Sequence, residues 1–278
     1  PPPPLRPSPS VPPAPPSLPP SAPPPQPPSP SVPIEQLRLV DVLNERWHRG
    51  IPADSFAEAG VIMHTFDGTE RQDGMAWMMD ENHQNGDRVS ISIINKCHPS
   101  VYSACYQRGC YPGLKHPPGL VFSDRVQQRL TCLYAGDAGT GGQNCGYERQ
   151  APTAKCRPGC NHNWCENGRK SNCAYRPSNV KPVMEIQNRI HPCGPIKNYG
   201  YNEGIVNVWP PAEWEAEMPG LVEAVFVQMR ASEADLELAH RVHNAFTDRY
   251  PQSGIPLVTY DPFNSDVPFQ LASLAKAT

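Results

Sequence analysis

The sequence has no cysteine before Cys97 and none after Cys193. It has no Asn-x-Ser/Thr acceptor, so carbohydrate on it would have to be O-linked. No apolar run approaches the ~20 residues needed to cross a bilayer, which excludes a helical membrane span. The net charge is −3 with no basic cluster, so the electrostatic footprint of a nucleic-acid binder is missing. Also missing are a Gly-x-Ser-x-Gly elbow, a His-Glu-x-x-His zinc motif and a dinucleotide fingerprint. No cofactor and no metal is expected. With Pro1 rather than Met at its head, the chain reads as a processed or excerpted product from which any signal peptide has been removed.

What is present is concentrated in two places. The first is a set of ten cysteines: Cys97, Cys105, Cys110, Cys132, Cys145, Cys156, Cys160, Cys165, Cys173 and Cys193. In a reducing compartment such thiols are liabilities. In a secreted chain they oxidise to staples for a loop-rich segment that buries little apolar surface of its own. The even count favours disulfides, whose pairing among about 945 combinations sequence does not give. The alternative is a zinc site at Cys156-x3-Cys160, His162, Cys165 and Cys173. It lacks the paired Cys-x2-Cys knuckles and would leave six cysteines without a role.

The second is proline: 19 of 37 fall in the first 33 residues, where Arg6 is the lone charge. Proline fixes φ and removes backbone donors, so neither helix nor sheet forms, and the tract is expected to be a polyproline II rod. At ~3.1 Å per residue it would reach roughly 100 Å. Ser8-Pro9 and Ser29-Pro30, set among Pro-Pro runs, resemble the shafts of hydroxyproline-rich glycoproteins, the extensin-like wall and matrix proteins of plants and green algae. The likeness covers only the first 33 residues and rests on composition. It implies hydroxylation and short O-linked glycans on Ser8, Pro9, Pro12, Pro13, Pro15, Pro16, Pro19, Pro20, Pro23, Pro24, Pro25, Pro27, Pro28, Ser29 and Pro30. Pherophorins of volvocine algae share the layout of a rod joined to a cysteine-bearing globule, but their domain pattern finds no match in the globular part here. The plainer alternative for the tract is a spacer or an SH3-type ligand.

Removing residues 1–33 leaves 245 of 278, ample for one core. Ile34 to His48 has apolar residues at Leu37, Val40, Leu43 and Trp47, which predicts a helix docking Trp47 into the core. Val61 to Phe66 and Arg88 to Asn95 read as strands, the second alternating Val89, Ile91 and Ile93 with serines. Between them Asp80, Asn82, Asn85, Gly86 and Asp87 resemble a calcium loop out of register, and a solvated turn is expected instead. Gly136 to Gly142 lacks the Gly-Lys-Ser/Thr ending of a phosphate cradle. Apolar content nearly vanishes between Cys145 and Cys173, where Trp164, Arg169 and Tyr175 could present themselves to a glycan or partner, or could simply pack against cystines.

Ser178 to Ile190 shows helical spacing again. Tyr201 to Val208, Leu221 to Met229 and Ile255 to Asp261 read as strands. Between the last two, Ser232 and Asp235 open a helix with Leu236, Ala239, Val242, Phe246 and Tyr250 on one face. Strand, helix, strand with such a crossover predicts a parallel βαβ unit. Ligands in such sheets bind beyond the carboxyl ends of the strands. Glu203 and Asp261 are therefore the candidate carboxylate pair if the chain is a glycosidase. His240 and His243, three apart on the helix, are explained without a metal.

The expectation is an α+β protein. A polyproline II shaft (1–33) precedes a globule (34–278) made of N-terminal helix and strands (34–96), a disulfide-stapled region (97–193) and a βαβ-like packed region (194–278). Its expected role is that of a structural extracellular glycoprotein of a wall, matrix or ciliary surface. The partners would be other copies, other matrix glycoproteins or polysaccharide and O-linked glycans, with no nucleic acid and no membrane. The alternatives are a tethered carbohydrate-active enzyme and a lectin-like module.

Overall fold

In the computed structural model the chain divides into two units, Pro1–Val32 and Pro33–Thr278. The structure describes residues 32–49, 55–66, 88–99, 118–134, 180–190, 202–208, 210–264 and 266–272. The second unit is built on a mixed eight-stranded sheet, so the coarse expectation of mixed helix and strand holds. Calcium-loop residues 67–87, the glycine run 136–142, Ser178, and the proline tract up to Ser31 lie outside the described residues.

The strands are β1 (Val61–Thr65), β2 (Arg88–Ile94), β3 (Gly119–Phe122), β4 (Leu130–Tyr134), β5 (Glu203–Asn207), β6 (Val222–Gln228), β7 (Leu257–Tyr260) and β8 (Phe269–Leu271). They lie in the order β4-β5-β2-β1-β3-β6-β7-β8. Each neighbouring pair is antiparallel except β6 and β7, where Val225 stands opposite Leu257 and Gln228 opposite Tyr260. That pair is the expected βαβ unit, its crossover carried by the helix Glu233–Arg249. The central strands β1 and β3 are buried along their whole length, His64 and Thr65 included.

Among the described residues five α-helices accompany the sheet: α1 (Ile34–His48), α2 (Phe56–Ala59), α3 (Val180–Ile190), α4 (Pro211–Leu221) and α5 (Glu233–Arg249), with a 3-10 helix at Asp124–Arg129. On one face, Val183, Met184 and Ile186 of α3, Trp214 and Met218 of α4, and Ala239, Val242 and Phe246 of α5 join one cluster. Its strand members include Ile62, Ile91, Leu120, Val206 and Val225. A separate aromatic stack holds α1. Trp47, 1% exposed, meets Tyr260 edge-on at 5.9 Å, and Tyr260 stacks on Phe269 at 5.1 Å and meets Phe226 at 6.3 Å. Arg46 of α1 completes the attachment through an ion pair with Glu223 at 2.6 Å.

The start of α5 is built as its sequence announces: the Ser232 hydroxyl accepts from the Asp235 backbone N–H at 3.2 Å. Helix α4 was not expected. Pro210, Pro211, Pro219 and Gly220 read as breakers, yet Pro211 occupies the first helical position, where its missing N–H costs nothing, and Pro219 falls in the last turn. Strand β8 was missed as well, because three residues are too short to show a period.

Candidate functional site

Sequence reasoning offered one catalytic pair, and the sheet separates it. Strands β5 and β7 run in the same direction, by the chain of pairings through β2, β1, β3 and β6. Glu203 begins β5 and Asp261 follows β7, so the two lie at opposite ends of the sheet. Five strand spacings also intervene, about 24 Å at ~4.8 Å each. Two carboxylates that flank one glycosidic bond stand within about 5–10 Å. Glu203 is 4% exposed and accepts the Ser90 hydroxyl at 2.6 Å. Asp261 shapes the turn after β7, its Oδ1 accepting from the Phe263 N–H at 3.0 Å.

Cys97, in the turn between Asn95 and His98, is disulfide-bonded, and Cys132 lies in β4 opposite Ile205. The other eight cysteines, and Trp164, Arg169, Tyr175 and the zinc-spaced His162, lie outside the described residues, as do all the hydroxylation and O-glycosylation candidates. Among the described residues no group of three or more His, Cys, Asp or Glu is placed to hold a metal, and no helix is long and apolar enough to cross a membrane.

A concave feature does exist beside the parallel pair β6 and β7. A groove of about 420 Å³ runs along α5 and over β7 toward β8. Its apolar wall comes from Val227, Met229, Leu236 and Leu257, and its polar groups are Gln36, Gln228, His240, His243 and Thr259. None of its described lining residues is Asp, Glu, Lys or Arg. His243 is engaged, its Nε2 lying 2.9 Å from the Ile255 carbonyl, and the Thr259 hydroxyl reaches the Gln270 carbonyl at 3.4 Å. His240 is exposed on α5. The two histidines set aside in the sequence thus both line the groove. The groove draws residues from α1, β6, α5, β7 and β8, and no local motif could have announced it.

Two charged pairs tie elements of the fold together. Arg129 reaches Glu217 of α4 at 2.6 Å, and that hydrogen bond and charge hold the Glu217 carboxyl below its ordinary range. Glu223 shifts the other way. Burial pushes its carboxyl up despite the hydrogen bond and charge of Arg46. Tyr260, fully buried, is pushed well above the usual phenol range by desolvation, with the Asp261 charge adding to it; its hydroxyl donates to the Pro99 carbonyl at 2.8 Å.

Comparison with known proteins gives no family model that matches this chain, no matching curated protein and no matching solved structure.

Proposed function

We propose that the protein is a structural extracellular glycoprotein, in which a hydroxyproline-type shaft carries a globule that acts as a node of a wall, matrix or cell-surface filament. One observation carries this reading. The proline tract and the globule that begins at Pro33 divide into two units. A proline-fixed tract of that length suits a spacer and glycan carrier. The disulfide at Cys97 agrees with maturation in an oxidising compartment. The distance between Glu203 and Asp261 removes the one carboxylate pair on which the carbohydrate-active alternative rested.

The test is intact mass of the secreted chain before and after reduction, and again after chemical deglycosylation. The expected result is a gain of two hydrogens for each cystine and a loss of pentose or hexose masses, with residual added oxygen on prolines. A mass equal to the bare sequence, with every cysteine alkylated without reductant, would overturn the reading.

A further inference from the structure

Among the described residues the strand order ends at β8, and a strand at the end of a sheet offers its outer backbone groups to any further strand. Which groups face outward follows from the register. The Asp261 N–H donates to the Pro268 carbonyl at 2.8 Å and the Ala272 N–H to the Leu257 carbonyl at 3.0 Å, so these bonds run inward, between β8 and β7. Phe269 and Leu271, opposite Tyr260 and Val258, therefore turn their N–H and C=O away from β7. The strand's own sequence does little to blunt this edge. From Val267 to Ala275 there is no charged residue, and the one proline, Pro268, precedes the strand.

The edge is nonetheless covered: Phe269 is 0% exposed and Leu271 3%. The cover at Phe269 is a side chain of α1. Asn44 Oδ1 accepts from the Phe269 N–H and Asn44 Nδ2 donates to the Phe269 carbonyl, both at 3.0 Å, so one amide takes the two groups that an added strand would need. The helix is pinned beside this contact by side chains. His48 Nε2 lies 2.8 Å from the Asp266 carbonyl, Gln36 Nε2 donates to the Gly254 carbonyl at 3.3 Å, and Trp47 packs edge-on against Tyr260. Because α1 belongs to no strand pair, lifting it leaves the sheet's ladder whole.

We infer that α1 is a strap over the β8 edge, holding the chain back from self-pairing, and that its release lets β8 pair antiparallel with β8 of a second copy. The outward groups are self-complementary in that arrangement. Around a two-fold axis at Gln270, Phe269 of each copy stands opposite Leu271 of the other, and each such pair exchanges the N–H and C=O that face away from β7. Asn44 and a second copy compete for the same Phe269 groups, so the closed strap and the paired edge exclude each other. The inference goes beyond the node role proposed above and does not depend on it.

Sedimentation of the full chain over a concentration series, with amide hydrogen exchange on the same samples, tests it. Only the open fraction pairs, so a lesion that raises that fraction lowers the association midpoint at least in proportion. Asn44→Ala removes two hydrogen bonds of the strap and is expected to lower the midpoint roughly tenfold or more. Adding Trp47→Ala is expected to lower it further. In both variants the Phe269 amide should exchange faster than in wild type when dilute, and protection of the Phe269 and Leu271 amides should rise with concentration. Trp214→Ala empties a buried site on α4 and leaves the strap in place, which makes it the control for destabilisation alone. Should the double variant unfold, Asn44→Ala by itself decides. An Asn44→Ala chain that associates no more than wild type would overturn the inference, as would equal association by Trp214→Ala. So would association that leaves Phe269 and Leu271 unprotected: lost on deglycosylation, it would place the contact in the shaft and spare the node role.

Discussion

Asn202 lies just ahead of β5 and uses its side chain as a strand would use its backbone: Oδ1 accepts from the Ile93 N–H at 2.7 Å and Nδ2 donates to the Ile93 carbonyl at 2.6 Å. Nδ2 also reaches Gln187 Oε1 at 2.8 Å, tying α3 to the ladder. Asn44 does the same for β8, its amide bonding both the N–H and the carbonyl of Phe269 at 3.0 Å. Asn202 is buried and Asn44 partly so, which sets their ranking. Asn202→Ala strands three buried partners and is expected to cost about 3 kcal/mol or more, against about 1–2 for Asn44→Ala, read from urea unfolding midpoints. Gly119 is the stricter position: a Cβ there would collide with the carbonyl of His64, which is backbone and cannot yield. Gly60 combines a similar collision against Ile94 with a φ of +149°. Gly119→Ala and Gly60→Ala are both expected to lower expression of folded protein sharply, measured by soluble yield and hydrogen-exchange protection of β1. None of these asparagine roles could be seen in the sequence, since an amide that stands in for a strand residue has no period and no motif.

Helix α1 is attached by Leu43, Trp47 and the Arg46–Glu223 pair. Trp47→Ala removes a fully packed ring from the aromatic stack and is expected to cost about 3–5 kcal/mol in thermal or denaturant unfolding. The two paired carboxyls, Glu217 of α4 and Glu223 beside α1, give opposite pH responses. Glu217, held low by Arg129, contributes stability that is present above the unfolded carboxylate pKa and is lost as pH falls through the lower folded value. Glu223, held high by burial, binds its proton more tightly folded than unfolded. Its contribution is therefore full below the unfolded pKa and declines as pH rises through the folded one. Glu217→Gln should flatten the acid limb of the melting-temperature profile, and Glu223→Gln should remove a decline on the less acidic side of it. Equal profiles for all three proteins would contradict the assignment. At this scale much was legible. The span of α1, the capped start of α5 and the parallel strands around it followed from periods of 3.6 and 2 in Leu37, Leu43 and Trp47, in Ala239, Val242 and Phe246, and in the run through Val225 and Val227. Helix α4 was hidden by four Pro and Gly residues, although Trp214, Met218 and Leu221 at helical spacing were a signal available to find it.

For the whole molecule, the division into two units at Val32 and Pro33 predicts that removal of residues 1–32 leaves the melting temperature of the globule unchanged, which calorimetry on the two chains would check. The candidate carboxylate pair failed at this scale for a physical reason: sequence shows which segments are strands, while their lateral order depends on long-range pairing that no local pattern records. That order has one further consequence. Strand β5, from the last third of the chain, is inserted between β4 and β2, and β6 lies against β3, so segments from before and after residues 135–179 alternate across the sheet. A protease cut within 135–179 would thus yield two pieces that remain zipped together by the backbone bonding of three strand pairs, β4 with β5, β5 with β2 and β3 with β6. Even with thiols reduced, the nicked protein should run as a single species on a native gel and come apart only in denaturant.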